Sequence, residues 1–299
     1  MSDVASGHRP ALRFAPSPTG ELHIGHALSA LVGWHLARRI GGRFLLRIED
    51  IDMARARQHF VDQIFDDLTW LGLDWDQPVR RQSEHFDAYR AQARRLEEMG
   101  LLYPCFATRS DIAAAVARAP NHPTDPDGAP LYPGLHKQLS CEDVAARRAA
   151  GQPFALRLDM DRALAAAHAI SGAAPLAYTA FDHDGTQRTV TARPQRWGDA
   201  VIVRKDVPAS YHLAVVTDDA EQGISHVTRG RDLEAATDLH RLLQILLGLP
   251  APAYHHHRLI LDEAGAKFSK RDGAVSLRVL REAGVTREKV LERIGAVPE

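Results

Sequence analysis

The sequence predicts an α/β protein built on a doubly wound parallel sheet, with a small inserted α/β domain and a short helical C-terminal tail. Three observations carry this. Residues 12–40 read as strand, tight loop and helix, and residues 43–50 add a second alternating segment, so the two together form a βαβ unit. Apolar stripes at helical spacing recur further along the chain. A proline-rich, aperiodic stretch at 119–137 interrupts them, as an insertion would.

The elements follow in order. Leu12 and Phe14 alternate with Arg13 and Ala15, as in a strand with one buried face. Pro16, Pro18 and Gly20 end that strand. Ile24, Leu28, Leu31 and Leu36 then fall near one helical face, and Gly41-Gly42 turns the chain. In 43–50, Phe44, Leu46 and Ile48 alternate with Leu45, Arg47 and Glu49. Glu49, Asp50 and Asp52 mark the C-terminal end of this strand, where open parallel sheets bind ligands. Asp50 or Asp52 suits a helix cap; Glu49 is the site candidate, a carboxylate placed for an ammonium. Helices are expected over 57–71 and 86–99, closed by Gly72 and Gly100, with 74–78 as a loop between them.

Within the insertion, 105–194, the pattern gives a helix near 141–150 and a strand at 154–158, and leaves the Ala-rich 162–169 between helix and loop. The sheet resumes at Trp197, with strands expected at 200–204, at 211–216 and just before 227–232. Leu239, Leu242, Leu243, Leu246 and Leu247 form an apolar helix. The tail reads as two short helices split at Gly284, the second capped by Thr286. The expected divisions are 1–104 and 195–265 for the two halves of a Rossmann-like sheet domain, 105–194 for the insertion, and 266–299 for a cationic loop and the tail.

Composition sets limits. The 299 residues are 45% hydrophobic and 25% charged, as in ordinary globular domains. No apolar run reaches the ~20 residues of a membrane span, and the first residues lack the apolar core of a signal peptide. Two cysteines, Cys105 and Cys141, argue against a disulfide framework and for a cytoplasmic setting. The formal charge of −1 does not advertise a nucleic-acid binder. Such a partner would have to meet local charge: Arg80-Arg81, Arg94-Arg95, Arg147-Arg148, Arg193 with Arg196, or residues 267–271.

Two stretches carry chemistry. Residues 13–26, RFAPSPTGELHIGH, place His23 and His26 at a helix N-terminus, whose unpaired N–H groups and partial positive charge suit a phosphate chain. The imidazoles can donate to phosphate oxygens as charge builds there. Gly25 leaves room for a flat purine against the backbone. Far downstream, Lys267-Phe268-Ser269-Lys270-Arg271 puts three cations in five residues beside Gly265 and Gly273, a loop fit to meet a triphosphate.

In this order the two stretches resemble the HIGH and KMSKS motifs of class I aminoacyl-tRNA synthetases, and the first is similar to the form seen in the glutamyl and glutaminyl subclass. The resemblance covers nearly the whole chain. It implies the class I catalytic fold, ATP as substrate with Mg2+, and catalytic roles for His23, His26 and Lys270. It further implies ATP contacts from Gly25, His26, Lys267, Ser269 and Lys270, and a glutamate site formed by Arg13, Ala15, Ser17, Glu49, Tyr211 and Arg229. The physics agrees: an arginine pairs with a side-chain carboxylate, and Arg229 is the first choice, while Glu49 takes the α-ammonium.

The chain ends 28 residues after Arg271, where full-length glutamyl enzymes continue into an anticodon-binding domain. It therefore resembles the shortened branch, the glutamyl-Q tRNA(Asp) synthetases, and the expected partners are glutamate, ATP and queuosine-bearing tRNA(Asp), acted on by a monomer. The alternatives are a truncated tRNA(Glu)-charging enzyme and a non-catalytic adenylate-binding paralogue. The resemblance also implies a degenerate zinc site at Cys105, Tyr132 and His136, with Cys141 as a further candidate. Ala107 stands where a cysteine is expected, and zinc wants four good ligands, so a metal-free insertion is favoured. The run His255-His256-His257 alternates faces in a strand and makes a poor chelate.

Overall fold

The computed structural model describes residues 9–172, 174–260 and 275–295. The cationic stretch at 267–271, with Lys267, Ser269 and Lys270, lies outside the described residues.

The chain begins β1 (Ala11–Phe14), α1 (Ile24–Arg39), β2 (Arg43–Ile48), α2 (Gln58–Trp70), β3 (Asp76–Arg81), α3 (Phe86–Glu98). It continues through β4 (Leu102–Cys105), α4 (Arg109–Ala117), α5 (Cys141–Ala149), β5 (Ala155–Leu158), α6 (Met160–Ser171), β6 (Ala177–Phe181), β7 (Gln187–Thr191) and β8 (Val201–Val203). It closes with α7 (Tyr211–Glu221), β9 (His226–Gly230), α8 (Ala236–Leu247), β10 (Ala253–His257), α9 (Leu277–Glu282) and α10 (Arg287–Ile294).

Strands β1, β2 and β3 form a parallel sheet. A second sheet runs β7-β6-β10-β9, parallel except for the β6–β7 hairpin. Ser225 ties the two together: its N–H donates to Ala11 O and its carbonyl accepts from Ala253 N, both at 2.9 Å. Strands β4, β5 and β8 make a separate antiparallel sheet. Strands β6 and β7 fall inside the expected 105–194 insertion, and β6, with β7 on its other edge, is bonded to β10.

Alternation on β1 and β2 builds two cores. Leu12, Phe14, Phe44, Leu46 and Ile48 enter a core with α1, α2, α9 and α10. Ala11 and Leu45 enter another, with α3, α6, α7 and α8. Helices on both faces are what a doubly wound sheet means, and that expectation holds. The expectation of one buried face on β1 does not, because layers on both sides bury all four of its residues, Arg13 included.

Other readings also need correction. Residues 211–216 are helix, not strand: Ser210 caps α7 by accepting from Leu213 N, and residues 213–219 are all buried, so the run shows no helical period. Strand β3 starts inside the expected 74–78 loop, its polar residues concealing it. The Ala-rich segment is helical, as α6. Helices α9 and α10 match the two expected tail helices, and Thr286 caps the second by accepting from Lys289 N. Among the described residues, no helix is long and apolar enough to cross a membrane.

Candidate active site

A cavity of ≈ 580 Å³ opens at the C-terminal ends of β1, β2 and β9, against the N-termini of α1 and α7. The phosphate-facing candidates His23, Gly25 and His26 line it, and so do the amino-acid candidates Arg13, Ala15, Ser17, Glu49, Tyr211 and Arg229.

At α1 the two histidines replace the usual hydroxyl and carboxylate of a capping box. His23 Nδ1 accepts from Gly25 N, and His26 Nδ1 accepts from His23 N, each at 3.1 Å. With both Nδ1 atoms accepting, the ring protons sit on Nε2, so both rings carry an N–H donor. The rings lie 3.8 Å apart, and no acid occupies the helix's first turn to offset its positive end. Gly25 proves to serve His23 first: a Cβ there would come within 3.0 Å of the ring. The segment after residue 274 returns to this spot, where Leu277 N donates to Leu22 O and Arg278 Nε donates to Glu21 Oε1, at 2.8 and 2.6 Å.

Behind the cavity lies a buried charge cluster. Arg13 Nε donates to Asp219 Oδ1 at 2.9 Å, and Arg47 NH1 donates to the same oxygen at 2.7 Å. Arg80 and Tyr89 both bond Asp218, at 2.7 and 2.9 Å. Arg47 NH2 donates to Glu49 Oε1 at 3.3 Å. Burial raises the Glu49 carboxyl above its usual range, against the pull of Arg47 and Arg13. Burial also pushes on Asp219, yet Arg13 and Arg47 hold it below the carboxylate range. Glu49 therefore gains from an incoming ammonium, whereas Asp219 already has its cations. Burial raises the Tyr211 phenol as well, so it stays an O–H donor. Asp50 is no cap for α2: its carboxylate takes Ser83 N and Oγ at 2.8 and 2.9 Å.

Arg229 also lines the cavity, in a different setting. It is buried, donates to Thr237, His240 and His256, and lies over the Tyr254 ring. Sequence reasoning missed Asp219, Arg47, Thr237, His240 and His256 as parts of the site. The adjacent acids Asp218-Asp219 within an apolar run were the one available signal.

Cys105, Tyr132 and His136 do come together, but not as ligands. Cys105 Sγ donates to Tyr132 Oη at 3.2 Å, and that oxygen also accepts from His136 N at 2.9 Å. His136 Nδ1 accepts from the N–H groups of Phe106 and Ala107, at 3.1 and 3.0 Å. The Tyr132 oxygen and His136 Nδ1 spend their lone pairs on hydrogen bonds, Cys105 keeps its proton as a donor, and Cys141 is exposed. The donor set as held does not fit zinc. Among the described residues, no group of three or more His, Cys, Asp or Glu side chains could hold a metal ion.

Residues 11–297 match the family model described as tRNA synthetases class I (E and Q), catalytic domain. The chain belongs to that family. It is 47% identical to a glutamyl-Q tRNA(Asp) synthetase of Rhodobacter capsulatus over 294 residues, which cover 95% of this chain and 99% of that protein. It is 39% identical to a glutamate–tRNA ligase of Aquifex aeolicus over 91% of this chain but 54% of the ligase. The crystal structure of a glutamate–tRNA synthetase from Elizabethkingia anophelis superposes with a TM-score of 0.71 at 28% identity, over 89% of this chain and 53% of that one. The chain thus spans about half the length of these glutamate–tRNA ligases, and nearly all of the glutamyl-Q relative. Family membership and the class I catalytic fold, both expected from residues 13–26 and 267–271, hold.

Proposed function

We propose that the chain activates glutamate with ATP in the absence of tRNA, then transfers the glutamyl group to the queuosine base in the anticodon loop of tRNA(Asp). The observation that carries the activation step is a single cavity with two matched ends. One end has a helix N-terminus with two Nε2–H donors. The other has a buried arginine held by neutral groups and a carboxylate, Glu49, that is 10% exposed. The acceptor rests on the relative matched over 99% of its length.

In this reading Arg229 binds the γ-carboxylate of glutamate, Glu49 the α-ammonium, and Tyr211 and Ser17 add directional hydrogen bonds. The α-carboxylate oxygen attacks the α-phosphorus of ATP, the bond to the β-phosphate oxygen breaks, and pyrophosphate leaves. His23 and His26 donate to the phosphate oxygens as charge shifts onto them, and Lys267, Ser269 and Lys270 are assigned to the triphosphate. Mg2+ would screen the charge of the phosphates. A ring hydroxyl of queuosine then attacks the adenylate carbonyl, loses its proton, and displaces AMP. The protein contributes positioning and electrostatics, with no covalent intermediate.

The test is glutamate-dependent ATP–pyrophosphate exchange without RNA, followed by labelled-glutamate transfer to tRNA(Asp) with and without queuosine. Exchange without RNA and label only on the queuosine form are the expected results. Exchange that needs tRNA(Glu) would mark a tRNA(Glu)-charging enzyme instead. No exchange under any condition would mark a non-catalytic protein.

A further inference from the structure

Arg229 is 4% exposed, and each group it donates to is neutral. NH2 donates to Thr237 Oγ1 at 2.6 Å, NH1 to His240 Nδ1 at 3.2 Å, and Nε to His256 Nε2 at 3.4 Å. These bonds fix every proton around it. His240 accepts on Nδ1, so its proton is on Nε2, which donates to His212 Nδ1 at 3.2 Å. Thr237 passes its own O–H to His256 Nε2 at 3.1 Å, so His256 keeps its proton on Nδ1. Burial, then the charge of Arg229, pushes His240 well below its usual value, His212 down to about 4 and His256 down to about 3. The imidazoles therefore stay uncharged.

Among the described residues, three acids of this region are paired with other cations, Glu49 with Arg47 at 3.3 Å being one. Asp238, next to Thr237, pairs with Arg196 at 2.6 Å, and Asp219 pairs with Arg13 and Arg47. A guanidinium cannot shed its proton, so the charge of Arg229 remains to be met. Three of its five N–H groups are used, and the residue lines the cavity.

We infer that Thr237, His240 and His256 form a neutral cradle that keeps the full charge of Arg229 available, and so selects a side-chain carboxylate over a carboxamide of the same shape. The inference rests on the glutamate reading of the cavity. A carboxylate brings both the charge and the lone pairs that the guanidinium lacks. A carboxamide brings no charge, and its NH2 group turns donor against donor, leaving buried groups unpaired. An acid in the cradle would supply the countercharge from within the protein and remove the preference. The three are positioning residues, acting through Arg229.

The experiment compares Thr237→Asp with Thr237→Asn, near-isosteric changes that differ in charge. Pyrophosphate exchange is measured with glutamate and with glutamine, giving kcat and KM for each. Thr237→Asp is expected to raise the glutamate KM roughly 100-fold and to move the glutamate-to-glutamine ratio of kcat/KM at least about tenfold toward glutamine, with kcat at saturation held. Thr237→Asn, which disturbs the same hydrogen bonds but adds no charge, is expected to weaken glutamate and glutamine alike, by less than Thr237→Asp weakens glutamate, and to leave their kcat/KM ratio within about threefold of the unaltered enzyme's. Equal losses in both variants, or an unchanged ratio in Thr237→Asp, would overturn the inference. His256→Glu and His256→Gln repeat the comparison, and decide it, should Thr237→Asp not fold. The unaltered enzyme is its own control: if it activates no glutamate, the glutamate reading fails and the cradle falls with it; if it activates glutamate and the ratio stays put, only the cradle falls.

Discussion

Two buried arginine systems contribute to the wall of the cavity, and they are built on opposite principles. Arg47 is fully enclosed among acids: Asp219 Oδ1 at 2.7 Å, Glu49 Oε1 at 3.3 Å and Asp218 Oδ2 at 3.7 Å. Arg229, 4% exposed, bonds only hydroxyl and imidazole groups among the described residues and lies over an aromatic ring. The first system meets its charges within the protein, Glu49 excepted, and pins β1, β2, β3 and α7 together. The second is complete only when an anion arrives. A buried charge whose partner lies within the protein contributes to the fold, and one whose partner is missing contributes to binding.

The largest effect expected from this contrast is on stability. Arg47→Met leaves Asp218 and Asp219 short of a cation at a site with no water access, and should lower the unfolding free energy by about 3–5 kcal/mol. Urea unfolding measures it. A loss below 1 kcal/mol would mean the cluster relaxes, and the contrast would weaken.

The complementary change is Arg229→Leu. The KM for glutamate should rise about 100- to 1,000-fold, since a desolvated charge pair with the substrate is lost. Stability should hold or increase, because the change removes a buried charge that has no internal partner. A stability loss like that of Arg47→Met would break the distinction between the two regions.

How much of this was legible in the sequence follows from where the signals lie. Residues 13–26 hold strand, turn and helix start in one run, so the β1–α1 unit and His23 and His26 could be read directly. Caps are local, so the tail helices α9 and α10 could be read as well, from Gly284 and Thr286. Helix α7 could not, because burial on nearly every side erases the amphipathic period. The cradle was equally hidden. Thr237 and His240 lie on α8 and His256 on β10, and they meet only through the packing of α8 against the sheet. In sequence, His256 was one member of a histidine run with no evident use.

A smaller effect tests the phosphate end against the amino-acid end. Gly25→Ala puts a methyl group 3.0 Å from His23 Cε1, so the ring must shift by a few tenths of an ångström against its seat on Gly25 N. Misplacing one Nε2–H donor should lower kcat for exchange about tenfold, with the glutamate KM little changed. Arg229→Leu acts on KM instead, so the two variants should separate along different kinetic axes. A rise in glutamate KM for Gly25→Ala would show that the two ends of the cavity are mechanically coupled.

The smallest effect comes from an apparent exception. Asp67 on α2 is a buried charge-bearing group with no hydrogen-bond partner for either oxygen among the described residues, and Arg281 approaches only to 3.7 Å. By the rule above it should be a binding site, yet it lines no cavity with the candidate site. The difference is chemical. A carboxyl group can neutralise itself, and burial pushes Asp67 up to about 6, a route closed to a guanidinium. An unmatched arginine must therefore recruit an anion, while an unmatched aspartate takes a proton. Because the folded-state value lies above the unfolded one, the folded protein binds the extra proton, and stability falls as pH rises from about 4 to about 6. Asp67→Asn should remove that fall, leaving stability at pH 4 unchanged and raising it at pH 8 by about 1–2 kcal/mol. Thermal unfolding at the two pH values measures the difference. A variant that is less stable at pH 8 would show that the Asp67 carboxylate is matched after all, with Arg281 as its partner.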